Sequence, residues 1–343
     1  MSGLAPFACP VDHAPLEVGH AGLVGPTGRF YPEACGGWDL RPSGVHPETS
    51  AQAEIFDTMR GEPSNFDHPH NLTLVHQRAL LQRLEVQRGD RVLEIGGHRS
   101  GVLPWLEAHR GIVGYGVDIA PAWVAAQNAH AEARGSAAKW VLADAESLPF
   151  ADRSFQAVVA FDVFEHIPHL ERALKEVFRV LADGGLLVCH LPVQDIGGSL
   201  DGLSRWRDPG DFAARQAGVG HYHERMPSRQ RMRTLLEHSG FHVEDVKSFN
   251  VWVQPLHDYR VLPALGKLRR RLGRGTPAPA ETTAGRAAPP PSARSPSGFQ
   301  RAYAATVIPL ARVLATPDRL GAALGMGGSA SFVARRGKPS RPG

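Results

Sequence analysis

The sequence predicts an α/β fold: a doubly wound, mostly parallel sheet with a small β-rich N-terminal knuckle and a helical cap. Three observations support this prediction. Short apolar runs alternate with helical patterns, as in repeated βαβ units. The first run leads into a glycine-rich turn, and polar residues follow the ends of several runs. The runs cover residues 91–95, 112–117, 139–143, 157–161 and 186–191.

The segments that flank this core differ from it in composition. Residues 1–45 are rich in glycine and proline and lack helical periodicity, which predicts the β-rich knuckle. Apolar residues at three- and four-residue spacing predict a helical lead-in over 46–86. The core is predicted over 87–253, with an inserted loop or lid at 194–226. The predicted C-terminal parts are a helical cap at 254–274, a disordered linker rich in Pro, Ala, Ser and Thr at 275–297, and a helix with a closing strand at 298–343.

Composition limits the class of protein. The chain has 343 residues, of which 42% are hydrophobic and 21% charged, and its net charge is +4. No run of about 18 uncharged apolar residues predicts a membrane span, and the N-terminus does not resemble a signal peptide. The cysteines Cys9, Cys35 and Cys189 are too few and too scattered for a disulfide framework. We therefore expect a cytoplasmic protein.

The glycine turn is the first candidate for a ligand site. The predicted strand "RVLEI" runs directly into "GGHRSG", and "VLPWLEAH" after it has a helical pattern. Backbone amides in such a turn can approach a ligand closely. The sequences G-x-G-x-x-G and G-K-[ST] are absent, which argues against a dinucleotide fingerprint and a P-loop. A nucleotide site, an S-adenosylmethionine site and a tight turn without a ligand remain alternatives here.

Carboxylates follow the next predicted strands. Asp118 lies about 20 residues beyond the turn, where a carboxylate can accept the ribose hydroxyls of an adenosine ligand. Asp144 ends the third strand, and "FDVFEH" at 161–166 ends the fourth. Ligands of open α/β sheets bind at the carboxyl edge of the strands. The sequence therefore predicts a binding site at this edge.

These motifs in this order resemble the type 11 family of class I S-adenosylmethionine-dependent methyltransferases. The resemblance covers residues 87–192 through "VLEIG", "GVDIAP", "ADAESLPFADRSFQAVVAFDVFEH" and "EVFRVLADGGLLVCHLP". It implies S-adenosylmethionine as the cofactor and a Rossmann-like fold. It also implies roles for ten residues: Glu94, Gly96, Gly97 and Gly101 at the methionine end of the cofactor, Asp118 and Ile119 at the ribose, Asp144 and Ala145 at the adenine, and Phe161 and Asp162 beyond the fourth strand.

Two features depart from related sequences. The family's loop reads E-x-G-x-G-x-G, whereas "EIGGHRSG" has His98 near the second glycine, so we expect a rearranged loop in which Arg99 could reach the cofactor carboxylate. The N-terminal segment resembles a zinc knuckle that precedes some methyltransferases. It keeps Cys9, has Asp12 at the second ligand position and lacks the second cysteine pair. We predict no metal site.

Three histidines are candidate general bases, because histidine can take up a proton near neutral pH. His166 follows the fourth strand, His190 ends the fifth, and His221 follows the predicted lid. A structural role is the alternative for each of them. The pairs His68 with His70 and His221 with His223 have a spacing that a metal could use, but no carboxylate or cysteine stands at ligand spacing beside them.

The sequence predicts an S-adenosylmethionine-dependent methyltransferase that O-methylates a small molecule or a glycan or lipid intermediate. An RNA methyltransferase and a catalytically inactive binding protein with the same fold are the alternatives, and we do not expect a nucleic-acid partner. Residues 299–325 lie near the basic stretch "KLRRRLGR", so peripheral membrane contact is an alternative to a role as a pocket cap. No feature of the sequence predicts an oligomeric state.

Overall fold

The computed structural model describes residues 6–58, 66–67, 71–97, 101–217, 226–256 and 316–337, with 305, 306, 309, 310 and 313. The predicted disordered linker at 275–297 lies outside these residues. So do most of the predicted cap at 254–274, the His98 and Arg99 positions of the glycine loop, His221, His223 and the pair His68 and His70.

The N-terminal segment forms a small antiparallel sheet of four strands. In order these are β1 (Glu17–Val18), β2 (Gly22–Val24), β3 (Phe30–Ala34) and β4 (Gly37–Trp38). The Cys9 thiol lies 3.2 Å from the Tyr31 hydroxyl, and Arg29 lies 3.6 Å from Asp12. Within the described residues, no group of three or more histidine, cysteine or acidic side chains is arranged to hold a metal. The strand content of this segment agrees with the predicted β-rich knuckle.

The core is a seven-stranded sheet in the order β10-β11-β9-β8-β5-β6-β7. Neighbours among β5 to β9 are parallel, and β11 is antiparallel to both β9 and β10. The mostly parallel sheet confirms the predicted fold class. The strands are β5 (Arg91–Ile95), β6 (Val113–Asp118), β7 (Lys139–Leu142), β8 (Phe155–Phe161), β9 (Leu181–Pro192), β10 (Phe241–Phe249) and β11 (Ser329–Arg336).

Helices cover both faces of this sheet, because alternate residues of each strand point to opposite sides. Leu93 of β5 packs in the cluster with α5 (Leu170–Val180) and α8 (Arg229–His238). Val92, its neighbour, packs in the opposite cluster. That second cluster contains buried residues of α2 (Leu72–Leu81), α3 (Val102–Arg110) and α4 (Pro121–Ala133). The sheet is therefore doubly wound.

The small sheet docks on the free edge of the core. The Leu40 amide donates to the Leu142 carbonyl at 2.8 Å, and the Ala8 amide donates to the Pro149 carbonyl at 3.0 Å. Phe7 packs its ring against Trp38, with centroids 5.2 Å apart. The first bond occupies the Leu142 carbonyl at the end of β7, the strand at this edge of the sheet.

The first lead-in helix and the insertion lie beyond the strand ends. Helix α1 (Pro47–Thr58) contacts α4 through the Trp123 indole, which donates to the Phe56 carbonyl at 2.8 Å. The segment predicted as an inserted loop or lid at 194–226 contains two helices, α6 (Leu200–Arg207) and α7 (Pro209–Ala217). The Ser199 hydroxyl accepts the Gly202 amide at 3.1 Å and so caps α6, which the loop prediction overlooked.

Two short helices complete the described structure, α9 (Val253–Leu256) and α10 (Thr316–Ala323). Among the described helices, none has both the length and the apolar character that a bilayer span requires.

Candidate active site

The turn after β5 needs glycine because two side chains press against it. Gly96 has φ +78°, and a Cβ there would lie 2.7 Å from Val163 Cγ2. A Cβ on Gly97 would overlap the ring of Trp140, which is itself almost fully buried. Close packing is therefore one physical reason for both glycines. Gly101 follows as the N-cap residue of α3, and its carbonyl accepts the Trp105 amide at 3.1 Å.

Asp118 at the end of β6 is bonded to this turn. Its Oδ2 accepts the Gly97 amide at 2.8 Å, and its Oδ1 accepts the Ala120 amide at 2.9 Å. Burial raises the pKa of Asp118 to about 6, although both amides favour the ionised form. The Ile119 amide also bonds to this carboxylate, and the acceptor capacity that its two oxygens retain is available to the ribose. These residues fit the ribose of S-adenosylmethionine.

The neighbouring residues continue this edge of the sheet. Asp144 is buried, and its Oδ1 accepts the Glu146 amide at 2.9 Å. Burial also raises the pKa of Asp144. Ala145 is partly buried against the core, and Ile119 packs beside Ala120 and α1. Glu94 is buried within β5. The adenine and methionine-end roles of these residues remain predictions.

Asp162 and His190 form a bonded pair where β8 and β9 end. Asp162 Oδ2 lies 3.1 Å from His190 Nε2, and the Asp162 amide donates to the His190 carbonyl at 3.0 Å. Asp162 has a positive φ of 53°, an uncommon conformation for a residue other than glycine. Its side chain is 50% exposed, whereas that of His190 is fully buried. The carboxylate therefore faces outward from the edge, and the imidazole lies behind it.

The surroundings of His190 make it a poor proton acceptor. Its ring stacks on Phe161, with centroids 4.9 Å apart, and its Nε2 also lies 3.1 Å from Gln77 Nε2 on α2. Burial lowers the pKa of His190 to about 3, so the ring is neutral at neutral pH. This geometry favours a role for His190 in orienting Asp162 rather than the predicted role of base.

His166 lies on the other side of Asp162, in a short 3-10 turn after β8. Its Nδ1 lies 3.3 Å from Gln52 Nε2 of α1, and the Phe56 ring packs edge-on against it at 5.1 Å. Its neighbour Glu165 is buried, and burial together with the charge of Asp162 raises the pKa of Glu165. His166 therefore stays near the edge, as predicted, but beneath α1.

Gln52 and Gln77 are site residues that the sequence did not single out. Each lies on the buried side of a lead-in helix and is under 10% exposed. A glutamine within the apolar face of an amphipathic helix is the signal that could have identified them, because a buried amide requires polar partners.

A cavity of about 850 Å³ lies between the insertion helices and the ends of β9, β10 and β11, and its lining begins at Pro192, two residues after His190. We call it the α6–α7 cavity. The polar residues that line it include the buried Asn250 and the partly buried Asp201. The Asn250 Nδ2 donates to the Ser329 hydroxyl at 2.9 Å, while its Oδ1 has no hydrogen-bond partner among the described residues. Burial raises the pKa of Asp201. The cavity walls include Pro192, Val193, Leu200, Phe212, Met226 and Leu256.

Strand order places these groups in sequence along one edge. Strands β5, β6 and β7 carry Gly97, Asp118 and Asp144, and the adjacent β8 and β9 carry Asp162 and His190. The α6–α7 cavity follows beside β9, β11 and β10. The candidate nucleoside site, the Asp162 carboxylate and the cavity thus lie at the ends of successive strands of the sheet.

The strand order and the residues along this edge agree with the predicted class I methyltransferase fold. Residues 93–189 match the family model described as "Methyltransferase domain". This match, over less than a third of the chain, supports a methyltransferase domain with S-adenosylmethionine as its cofactor.

Curated relatives agree with this assignment over part of the chain. The chain is similar to the 24-methylenesterol C-methyltransferase 2 of Oryza sativa, with 32% identity over 34% of this chain and 33% of that protein. It is also similar to the human mitochondrial 2-methoxy-6-polyprenyl-1,4-benzoquinol methylase, with 30% identity over 39% and 44%. The match thus spans less than half of each relative.

A solved structure supports the fold over a larger share of the chain. Phosphoethanolamine N-methyltransferase 2 of Haemonchus contortus, in complex with S-adenosyl-L-methionine, superposes with a TM-score of 0.52. The superposition covers 87% of this chain and 61% of that one, at 15% sequence identity.

Proposed function

We propose that this chain transfers a methyl group from S-adenosylmethionine to a small-molecule acceptor. One observation carries the proposal: Asp118, the Asp162–His190 pair and the α6–α7 cavity follow one another along the carboxyl edge. Each is proposed to bind or to act on one component of the reaction. The sterol and benzoquinol named for the two relatives are small-molecule acceptors, which supports this class of substrate.

The cofactor end of the site is proposed to work by positioning. S-adenosylmethionine, when bound, supplies an electrophilic methyl group on a sulfonium sulfur. Asp118 binds the ribose hydroxyls with its remaining acceptor positions, and Gly96 and Gly97 keep the turn close to the strand ends. Asp144 is proposed to bind the adenine. Orientation of this kind is a major contribution of an enzyme to a transfer between two bound molecules.

The acceptor end is proposed to bind a hydroxyl compound. The α6–α7 cavity has about 850 Å³ of space, apolar walls and a few polar groups, as small-molecule sites have. Asp162 is proposed to take the hydroxyl proton, because its carboxylate is half exposed and held by His190. O-methylation of a small molecule or of a glycan or lipid intermediate fits these groups.

Calorimetry with S-adenosylhomocysteine tests the cofactor half of the proposal. Wild-type protein should bind it, and Asp118→Ala should lose at least about tenfold in affinity because two ribose hydrogen bonds are lost. Asp183→Ala is the matched control, because it removes an exposed carboxylate at the start of β9, at the opposite end of the strand from His190. Absence of binding by the wild type would refute the proposal.

Methyl transfer from labelled cofactor to a fractionated cell extract tests the acceptor half. Label should appear in a small-molecule fraction and be stable to mild base, as an ether is. Label in the RNA fraction would favour the RNA methyltransferase alternative. Cofactor binding without transfer to any fraction would favour the inactive binding protein.

A further inference from the structure

Large apolar side chains are exposed on three helices beyond the strand ends. On α6, Trp206 is 81% exposed and Leu203 is 46% exposed. On α10, Leu320 and Leu324 at its end are 67% and 78% exposed. We call this surface the apolar face; its residues are Leu203, Trp206, Trp252, Leu256, Leu320 and Leu324. Exposed apolar patches of this kind mark sites of interaction.

Hydrogen bonds and a shared groove make this a single surface. The Asp318 carboxylate of α10 accepts the backbone amides of Trp252, Val253 and Gln254, which ties α10 to the start of α9. Trp206 and Trp252 line one groove of about 800 Å³ between α6 and α9. The three helices therefore present their exposed side chains together.

The α6–α7 cavity opens on the apolar face. Leu203 and Leu256 both line the cavity, and they are 46% and 49% exposed. These two side chains lie at the boundary between the interior of the cavity and solvent. A molecule that enters the cavity between them would cross the apolar face.

A strongly basic segment of the sequence is attached to the same face. Residues 257–315 follow Leu256 of α9 and precede Thr316 of α10, so both ends of this segment are attached at the apolar face. The segment has ten lysines and arginines against two acidic residues, a net charge of +8, whereas the whole chain has +4. The remainder of the chain is therefore net negative, and the positive charge is local. Arg205, Arg207 and Arg319 lie on α6 and α10 themselves.

We propose that the apolar face docks on an anionic phospholipid membrane. Tryptophan and leucine side chains insert at the boundary between lipid headgroups and acyl chains, and arginines nearby are attracted to the negative headgroups. An RNA partner would use the basic segment but would leave the exposed leucines unexplained. Membrane binding would place the mouth of the α6–α7 cavity against lipid. The proposal does not depend on methyl transfer.

Sedimentation of the full-length protein with vesicles tests this docking. The protein should bind vesicles of phosphatidylcholine with about 30 mol% phosphatidylglycerol, and bind pure phosphatidylcholine at least about tenfold more weakly. Binding should fall as the salt concentration rises from about 0.1 M to about 1 M, because salt screens the attraction. Equal binding to both vesicles, or to neither, would overturn the proposal.

Point variants distinguish vesicle binding through the apolar face from non-specific adsorption. Trp206→Ser should lower the vesicle partition coefficient at least about tenfold, because a large exposed indole no longer inserts. Phe30→Ser removes a 53% exposed ring from the N-terminal sheet and should leave binding unchanged. Replacement of Arg269, Arg270 and Arg271 by glutamine should weaken binding to the anionic vesicles only. Circular dichroism checks that each variant is folded.

Two results would assign the face to another partner. If Trp206→Ser changes the oligomeric state in gel filtration but not vesicle binding, the face joins copies of the chain. If a single-stranded RNA binds in place of vesicles and Trp206→Ser has no effect, the basic segment serves nucleic acid. Either result refutes membrane docking.

Discussion

The amide of Gly97 donates to the carboxylate of Asp118 at 2.8 Å, which joins the turn after β5 to the end of β6. The two residues belong to separate sequence motifs, but in the folded chain this bond joins them. A change in either residue should therefore affect the other. The Asp118 carboxylate is also buried, and its burial makes the stability of the fold depend on pH.

The first prediction concerns the ionisation of Asp118. Burial raises its pKa from 3.8 to about 6, so ionisation costs more in the folded than in the unfolded chain. Its contribution to the free energy of unfolding is full below pH 3.8 and is lost as the pH rises through about 6. The total change is on the order of 3 kcal/mol. In urea unfolding of the cofactor-free protein, the free energy of unfolding of Asp118→Asn relative to wild type should rise by this amount between pH 4 and pH 7. A difference that does not vary with pH would contradict the assignment.

The second prediction concerns two buried histidines. His76 stacks on Phe249 at 4.1 Å, and burial lowers the pKa of His76 and of His190 from 6.5 to about 3. The unfolded chain therefore binds protons that the folded chain excludes, so stability is present above pH 6.5 and declines as the pH falls towards 3. Each histidine should contribute a slope of up to about 1.4 kcal/mol per pH unit. His76→Gln and His190→Gln should each reduce the slope of the free energy of unfolding against pH. Between pH 6 and 4.5 the reduction should be about 1.4 kcal/mol per pH unit, which corresponds to one proton. Neither should change the slope above pH 7.5.

The third prediction separates the roles of Asp162 and His190 in methyl transfer. Asp162→Asn should lower kcat about a hundredfold, because the proposed base is lost, with the affinity for S-adenosylhomocysteine nearly unchanged. His190→Gln should lower kcat less, about tenfold, since the glutamine amide can still donate to Asp162. It should also shift the pH at which kcat falls, with little change in KM. A larger loss from His166→Gln than from Asp162→Asn would identify His166 as the base instead.

The fourth prediction tests the packing of the glycine turn. Gly97→Ala should destabilise the protein by about 2–4 kcal/mol, because the added Cβ overlaps the Trp140 ring. Gly197→Ala is the control, since a Cβ there would meet no atom within 4 Å. In a double-mutant cycle, Gly97→Ala should cost at least about 1 kcal/mol less stability in the Trp140→Leu background than in the wild type. If the effects of Gly97→Ala and Trp140→Leu on urea unfolding are additive, the Trp140 ring is not the reason that position 97 needs glycine.

The agreement between sequence and structure is best where the signal is local. The period-two alternation of Val92 and Leu93 sends neighbouring residues to opposite faces of the sheet, so the apolar runs predicted the strands well. "SASFVARR" likewise forms β11 at Ser329–Arg336. The insertion was harder to predict, because α6 and α7 have few buried residues and so little periodicity.

The histidines show why the site could be predicted only in part. Sequence order placed His166 and His190 near the carboxyl edge, but their environments come from distant segments. Gln77, which contacts His190, lies 113 residues earlier, and Gln52 lies 114 residues before His166. Nothing near either histidine in the sequence specifies these contacts.

The sequence by itself determined the order of the strands' apolar runs, the glycine turn and the acidic residues that follow the strands, because each depends on local chain properties. The tertiary structure decided that Asp162 faces outward and His190 inward, and that an apolar cavity lies beside them. Burial and pKa depend on which helices pack over a side chain. Two of those helices, α1 and α2, contribute Gln52 and Gln77, which lie 114 and 113 residues before the histidines that they contact.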